Sequence, residues 1–350
     1  MQLSVAKYLF GVDSRAKAVE LLLDIESKGV CMVGIHGLGG VGKTTIAIAV
    51  YNRIVERFEG SCFLESVREK SNTNVGIIQL QETLLSKILP GRNDKVNSVP
   101  EGITMIKERL YSKKVLLILD DVDQSKEIEN LLGDCNWFDS GSRVIITTRD
   151  KKVLDDLGKD HQISIYKVEE LNSSEARDLF NMHAFRKNEP KQEYSNLAKQ
   201  IISYANGLPL ALKIMGSDLY GKSIDQWSCA FEMYKKIPHG EIINKLKISY
   251  DGLGKSERDI FLDIACFFKG FKMDKVVNIL DACKLCPSWG ISKLIDKCLI
   301  TIDISGILWM HDLLQQMGRE IVQQESKELE NCSRIWCHED AYKLLTENMV

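Results

Sequence analysis

The stretch Gly37-Leu-Gly-Gly-Val-Gly42-Lys43-Thr44 constrains this chain more than any other, because it fits the spacing G-x-x-x-x-G-K-S/T and stands in the right surroundings. Before it, Val30-Cys31-Met32-Val33-Gly34-Ile35 is a continuous apolar run that reads as a buried strand. After it, Ile46, Ala47, Ala49, Val50, Ile54 and Val55 recur at helical spacing from Lys43 to Phe58. Strand, glycine loop and helix in that order form a cradle for phosphate. Glycines let backbone N–H groups turn inward around phosphate oxygens, and the helix N-terminus adds positive partial charge. The predicted phosphate-facing set is Gly37, Gly39, Gly40, Val41, Gly42, Lys43, Thr44 and Thr45. Lys43 is placed to reach the β and γ phosphates of ATP or ADP, and the Thr44 hydroxyl to ligate Mg²⁺. A glycine-rich turn without nucleotide is the bland alternative, and the agreement of motif with context weighs against it.

Two further segments point to the same rim. Lys114-Val-Leu-Leu-Ile-Leu119-Asp120-Asp121 sets two carboxylates just past a buried strand, where open α/β sheets bind ligands. Asp120 is expected to hold Mg²⁺ directly or through water, and Asp121 to position or deprotonate an attacking water. Acidic residues after a strand are also common turn formers, a reading that the upstream loop weakens. Ser142-Arg-Val-Ile-Ile-Thr147-Thr148-Arg149 is another buried strand with a cation at its end. Arg149 is a candidate γ-phosphate sensor, against the alternative of a solvated arginine paired with Asp150 or Asp123.

Apolar runs at Cys62 to Leu64, Val115 to Leu119, Val144 to Thr147 and Ile163 to Val168 alternate with helical or irregular stretches, which argues a parallel sheet covered on both faces. Gly91 to Pro100 is polar and reads as an exposed loop. After Val168 strands nearly cease. Ser173-Ser174-Glu175 can cap a helix, Tyr194 to Ala205 is another, and Pro209 to Leu219 restarts helix with proline in its first turn. Leu299-Ile300-Thr301-Ile302 and Ile307-Leu308-Trp309-Met310 suggest a hairpin before a helix from His311 to Val322, as in a winged helix. At 350 residues the chain exceeds one core. The expected fold is an α/β P-loop NTPase sheet (1–165), an all-α four-helix domain (166–240), a winged-helix domain (241–325) and a linker (326–350).

Composition excludes several classes. No run of about 18 uncharged apolar residues exists, so no membrane span is expected. The segment Met1 to Phe10 is too short for a signal-peptide core, and a cytosolic or nuclear setting follows. The net charge of -3 gives no general attraction to nucleic acid. Ten cysteines are scattered, not spaced as a disulfide framework. Cys283-Lys-Leu-Cys286 with Cys337-His338 is a formal zinc set, but two thiols near a helix end is the favoured reading, since the second half lacks paired spacing.

In order along the chain, the motifs resemble the NB-ARC module of plant intracellular immune receptors, in the subclass that usually carries a TIR domain ahead of it. The resemblance rests on Gly34 to Thr45, Phe63-Leu-Glu-Ser-Val-Arg68, Leu117 to Asp123, Gly141 to Asp150, Gly207-Leu-Pro-Leu-Ala211, Phe261-Leu-Asp-Ile-Ala-Cys-Phe-Phe268 and Met310-His-Asp312. It implies a switch in defence signalling that clamps ADP at rest and opens when ATP replaces it, with at most slow hydrolysis. By resemblance, Pro209 packs against the base, His311 reaches the ADP β-phosphate, Arg149 reports the γ-phosphate and Asp312 helps hold the closed state. Phe10 to Arg15 resembles the family's opening segment, which places the Val12 backbone near adenine; Asp13-Ser14 stands where many relatives have Arg-Glu. A TIR domain and leucine-rich repeats are expected as partners, within a longer receptor or in trans, with homo-oligomers in the ATP state. No such segment is recognisable before Val5 or after Asn348, so a fragment or truncated product is expected. Three other readings compete: a turnover ATPase or kinase, a non-switching interaction module, and a DNA-binding regulator. The last is disfavoured because the helix after His311 offers only Arg319, beside Glu320.

Overall fold

Five parallel strands order the first half of the chain. The computed structural model describes residues 3–89, 91, 95–111, 113–133, 138–186, 192–237, 239–325 and 333–346. They fall into two compact units, the first running to Gly37 and from Val41 to Glu169, the second comprising Leu38–Gly40 and the chain from Glu170 onward.

The first unit contains α1 (Val12–Leu23), β1 (Cys31–His36), α2 (Lys43–Ile54), β2 (Gly60–Leu64), α3 (Val67–Lys70), α4 (Asn74–Ile88), α5 (Val99–Leu110), β3 (Val115–Val122), α6 (Ser125–Leu132), β4 (Arg143–Thr148), α7 (Lys151–Leu157) and β5 (Ile163–Lys167). The sheet order is β2-β3-β4-β1-β5, every pair parallel. Alternate residues of the buried strands supply each face. Met32, Leu117, Leu119, Val144 and Ile146 join the core of α4 to α7, while Val33, Ile35, Ile118 and Ile145, also buried, belong to the other set, on strands against which α1 and α2 pack.

The helical pattern from Lys43 ends sooner than its spacing suggests. The α-helix stops at Ile54, and Val55–Arg57 is a 3₁₀ turn. The expected loop from Gly91 is also shorter at its far end. Ser98 caps α5 by accepting from the Glu101 N–H, and Val99 and Pro100 are already helical. Proline in the first turn loses no hydrogen bond, which is why it starts this helix. Residues 90 and 92–94 lie outside the described residues.

The second unit contains α8 (Ser173–Ala184), α9 (Ser195–Ala205), α10 (Pro209–Leu219), α11 (Ile224–Lys236), α12 (Gly240–Asp251), α13 (Lys255–Asp263), α14 (Met273–Ala282), α15 (Pro287–Asp296), the hairpin β6 (Thr301–Ile302) and β7 (Leu308–Trp309), α16 (Asp312–Glu325) and α17 (His338–Thr346). The cap of α8 is Asn172, not the serines after it; its side chain accepts from Ser174 and Glu175 N–H, and Glu175 returns a bond to the Asn172 N–H. Asparagine competes well with serine for this place, and the reciprocal bond fixes it one residue earlier.

Trp227 is fully buried against Phe180, Phe185 and Tyr194, and its indole N–H donates to Leu219 O at 2.8 Å. Between α13 and α14 the chain widens into a π-turn, Ile264–Phe268. Gly318 of α16 lies against it; a Cβ there would stand 2.6 Å from the Ala265 Cβ. The hairpin strands are two residues each, shorter than their apolar runs. Helix α16 begins at Asp312, so His311 sits just before the helix that the sequence assigned it to. Among the described residues no helix is long and apolar enough to cross a membrane.

Candidate functional site

The chain leaves β1 at His36 and enters α2 at Lys43 through a loop whose backbone demands glycine. Gly40 and Gly42 have φ of 82° and 103°, a region other residues rarely adopt. At Gly40, which groups with the second unit, a side chain is also excluded by space, since a Cβ would lie 2.8 Å from Leu210 of the same unit, whose N–H donates to Gly40 O. Val41 and Gly39 are buried, and Thr45 is half-buried. Lys43 is 7% exposed, and its Nζ donates to Gly37 O at 2.8 Å. A buried ammonium held at the mouth of a glycine loop suits an anionic ligand.

Asp120 is 6% exposed and lies, like Asp121, within β3, which runs on to Val122 instead of stopping before the carboxylates as expected. Its Oδ1 accepts from the Thr44 hydroxyl at 2.8 Å and the Thr147 hydroxyl at 2.6 Å. Burial pushes its carboxyl above the ordinary range, against the pull of the two hydroxyls and Lys43. Thr44 and Asp120, distant in sequence, are thus in contact, as an oxygen-ligand pair for a hard cation requires.

Asp121 behaves differently. The pairing of β3 with β4 shifts register between Leu119 and Val122, and Asp121 takes φ of 58°. Its N–H donates to the Thr147 hydroxyl at 2.9 Å. The irregularity aims its carboxylate at two arginines. Oδ2 accepts from Arg68 Nη2 at 2.9 Å and Nε at 3.2 Å; Oδ1 accepts from Arg149 Nε at 3.1 Å. Burial alone would raise this carboxyl, but Arg149 and Arg68 outweigh it and hold it below the ordinary carboxylate range. The carboxylate that sequence reasoning turned toward water is therefore engaged through both oxygens. Arg149 has Asp121 as a partner, which the sequence did not suggest. Asp150, one of the two it did suggest, caps α7 by accepting from the Lys152 N–H.

Three residues of this rim were given no role from sequence. Arg68 lies within the Phe63 to Arg68 block, which was the available signal. Thr147 ends an apolar strand and has no distinguishing spacing. His36 is 5% exposed, and its pKa is lowered to about 4 by burial first, then by Lys151, Lys167 and Lys43. A neutral imidazole precedes the glycine loop.

Val12 opens α1 behind Gly11, whose φ is 68°, and the Arg15 guanidinium donates to Gly11 O. In the second unit Pro209 is the first residue of α10. The His311 Nδ1 accepts from the Leu313 N–H at 3.2 Å, which leaves Nε2 to donate to Asn206 O at 3.3 Å. Burial lowers the His311 pKa, against Glu170 and the Asn206 carbonyl. Asp312 is bound by the Lys269 ammonium. Cys283 and Cys286 flank a turn whose last residue caps α15.

A family model, the NB-ARC domain, matches residues 13–190, just over half of the chain. The chain belongs to the NB-ARC family. A second model, the winged-helix domain of Roq1-like disease resistance proteins, matches residues 254–326. Among curated NB-ARC relatives, the disease resistance protein RUN1 of Vitis rotundifolia is 47% identical over 99% of this chain and 26% of its own length. The TMV resistance protein N of Nicotiana glutinosa is 39% identical over 99% of this chain and 30% of its own length. The chain thus spans about a quarter to a third of the curated relatives it matches. Among solved structures, a Walker-type ATPase of Pyrococcus abyssi covers 91% of this chain and 98% of its own with a TM-score of 0.62. At 14% identity that likeness shows the fold, a P-loop NTPase sheet followed by helices.

Proposed function

We propose that this NB-ARC chain is a nucleotide-operated switch of a plant disease resistance protein, ADP-bound at rest and ATP-bound when active. The observation that carries the reading is the contact of Thr44 with Asp120 beside a loop whose φ at Gly40 and Gly42 favours glycine and which buries Lys43. The residues fit the ligand. The loop amides and Lys43 would hold the phosphates, Thr44 and Asp120 would hold Mg²⁺, and the Val12 backbone would face adenine. Bound Mg²⁺ would neutralise phosphate charge and fix its oxygens. Arg149, at the end of β4, would report the γ-phosphate.

Pro209 and His311 are the second unit's proposed nucleotide-facing residues. His311 already has its proton on Nε2, available to an acceptor stronger than the Asn206 carbonyl. A ligand contacted in one state and not in the other shifts the balance between states by the difference in contact energy, about 1–3 kcal/mol for one such coupling. Within the second unit we propose a division near residue 240 into a helical and a winged-helix domain, with 326–350 as a linker. A TIR domain, leucine-rich repeats and further copies of the chain are the proposed partners, and the cytoplasm or nucleus the proposed setting.

The test is the nucleotide released on denaturing freshly purified protein. Near-stoichiometric ADP in the wild type, lost in Lys43→Ala and shifted toward ATP in Asp312→Val, is the expected result. An empty wild type would overturn the switch and leave a non-switching module.

A further inference from the structure

The pair of arginines on Asp121 carries more than the sensor role assigned to Arg149. Arg68 stands on α3, a single turn of helix that follows Ser66 at φ of 54°. The side chains of Arg68, Asp121 and Arg149 are 20%, 17% and 7% exposed, so this ion triad is largely out of water. One carboxylate serves two guanidiniums, giving one oxygen to each. The three side chains together carry one net positive charge, and the exposed Glu69 carboxylate lies 3.9 Å from Arg68 Nη2 at their outer edge. On Asp121, Arg68 uses Nε and Nη2 in a two-pronged grip, and Arg149 uses Nε. A carboxylate shared in this way sets the distance between two like charges that would otherwise separate, since their repulsion is strong where water is scarce.

We propose that Arg68 is a second guanidinium of the triphosphate-discriminating apparatus, and that Asp121 is a positioning residue that presents Arg68 and Arg149 together to a nucleoside triphosphate. The inference rests on the reading that the glycine loop binds nucleotide. A diphosphate is held by the loop and Lys43 and has little use for a further pair of cations. A third phosphate adds anionic oxygens that two guanidiniums can share; Arg68 would meet them with Nη1, since Nε and Nη2 are on Asp121, and a planar guanidinium can serve both groups at once where an ammonium cannot. A purely structural Arg68, tying α3 to β3, would support both nucleotides equally.

The experiment measures affinities of the full chain for fluorescent ADP and for a fluorescent non-hydrolysable ATP analogue, each with Mg²⁺, alongside melting temperatures. Arg68→Ala is expected to weaken the analogue about tenfold, the loss of one charge-assisted contact, and ADP by no more than about twofold. Arg68→Lys, which keeps the charge without the fork, is expected to fall between, and it carries the test if Arg68→Ala loses its fold. Asp121→Asn should lower the same ratio of affinities. Combining Arg68→Ala with Arg149→Ala should cost less than the product of the two single effects, because they share one carboxylate. Equal weakening of both nucleotides, an unchanged ratio, or strictly multiplicative effects would overturn the inference while leaving the nucleotide-binding reading intact. A wild type that binds neither nucleotide would overturn both.

Discussion

Arg143 is a guanidinium with 0% exposure whose five acceptors are all uncharged oxygens, and it makes a sharp stability prediction. It donates to Gly29 O at 2.9 Å, Ser142 O at 2.8 Å, Ser27 O at 3.0 Å, the Ser27 hydroxyl at 3.1 Å and Asp24 O. It thereby staples the start of β4 to the segment between α1 and β1. Replacing it with Met keeps much of the volume and removes every donor. Three of the carbonyls retain a partner: Gly29 O accepts from Gly141 N–H, Ser142 O from Cys31 N–H and Asp24 O from Ser27 N–H. Ser27 O alone among these carbonyls is left without a donor in the described residues.

The cost is therefore one orphaned carbonyl plus the surplus strength of charge-assisted bonds, less the relief of no longer burying a cation, about 2–4 kcal/mol in all. For a unit of this size that is a fall in melting temperature of about 5–15 °C. Calorimetry should place it in the transition that nucleotide shifts upward. Arg143→Lys should recover less than half, because three donors on one ammonium cannot reach five fixed acceptors. A Met variant within about 1 kcal/mol of the wild type would refute the reasoning, since the desolvation cost would then equal the gain from the bonds.

Three shorter predictions accompany it. His36 titrates lower in the fold than in the unfolded chain, so its contribution is complete above about pH 6.5 and disappears as pH falls toward 4, amounting to about 3 kcal/mol; chemical denaturation across that window should show His36→Gln losing less stability than wild type, and parallel curves would refute the assignment. Gly76→Ala would put a Cβ 1.8 Å from the Lys70 carbonyl oxygen; because backbone cannot swing aside as a side chain can, about 2 kcal/mol or more should be lost, read as a lower denaturant midpoint. Trp227→Ala should cost about 3–5 kcal/mol in far-ultraviolet circular dichroism melts, from the cavity among Phe180, Phe185 and Tyr194 and the loss of the bond to Leu219 O.

The sheet was legible because its signals are local. An apolar run from Val115 to Leu119 followed by Asp120-Asp121, or a glycine loop between strand and helix, needs no distant partner to be recognised. The start of α5 was also written locally, in Ser98 with Glu101 three residues on, but the surrounding polar residues masked it. Arg143 was hidden because arginine is so rarely buried that composition argues against it. The triad on Asp121 was hidden for another reason: its members are separated by tens of residues and meet only through a register shift in β3. His311 carried no chemical signal of its own. Its interest came from resemblance, and its bond to the Asn206 carbonyl depends on an asparagine at φ of 44° that no periodicity marks.

The π-turn at Ile264–Phe268 bears on which lengths of chain this protein can tolerate. The turn ends α13, closing with the Lys269 N–H on Ile264 O at 3.1 Å, and it holds one residue more than an α-turn would. Deleting any single residue there would let the helix close into regular form and rotate the downstream chain by about 100°. Ala265 would then swing away from Gly318, and its carbonyl from the Gln315 amide that donates to it at 3.1 Å. In the turn from Asp303 to Gly306 the Asp303 carboxylate is bonded to its own neighbours, and Gly306 O accepts from the Met273 N–H at 2.9 Å, so the tip at Ile304 and Ser305 is the part with no described bond beyond the turn. Related chains should therefore vary in length at the hairpin tip and keep a constant count from Phe261 to Phe268, so that a one-residue gap there would mark a copy that no longer folds.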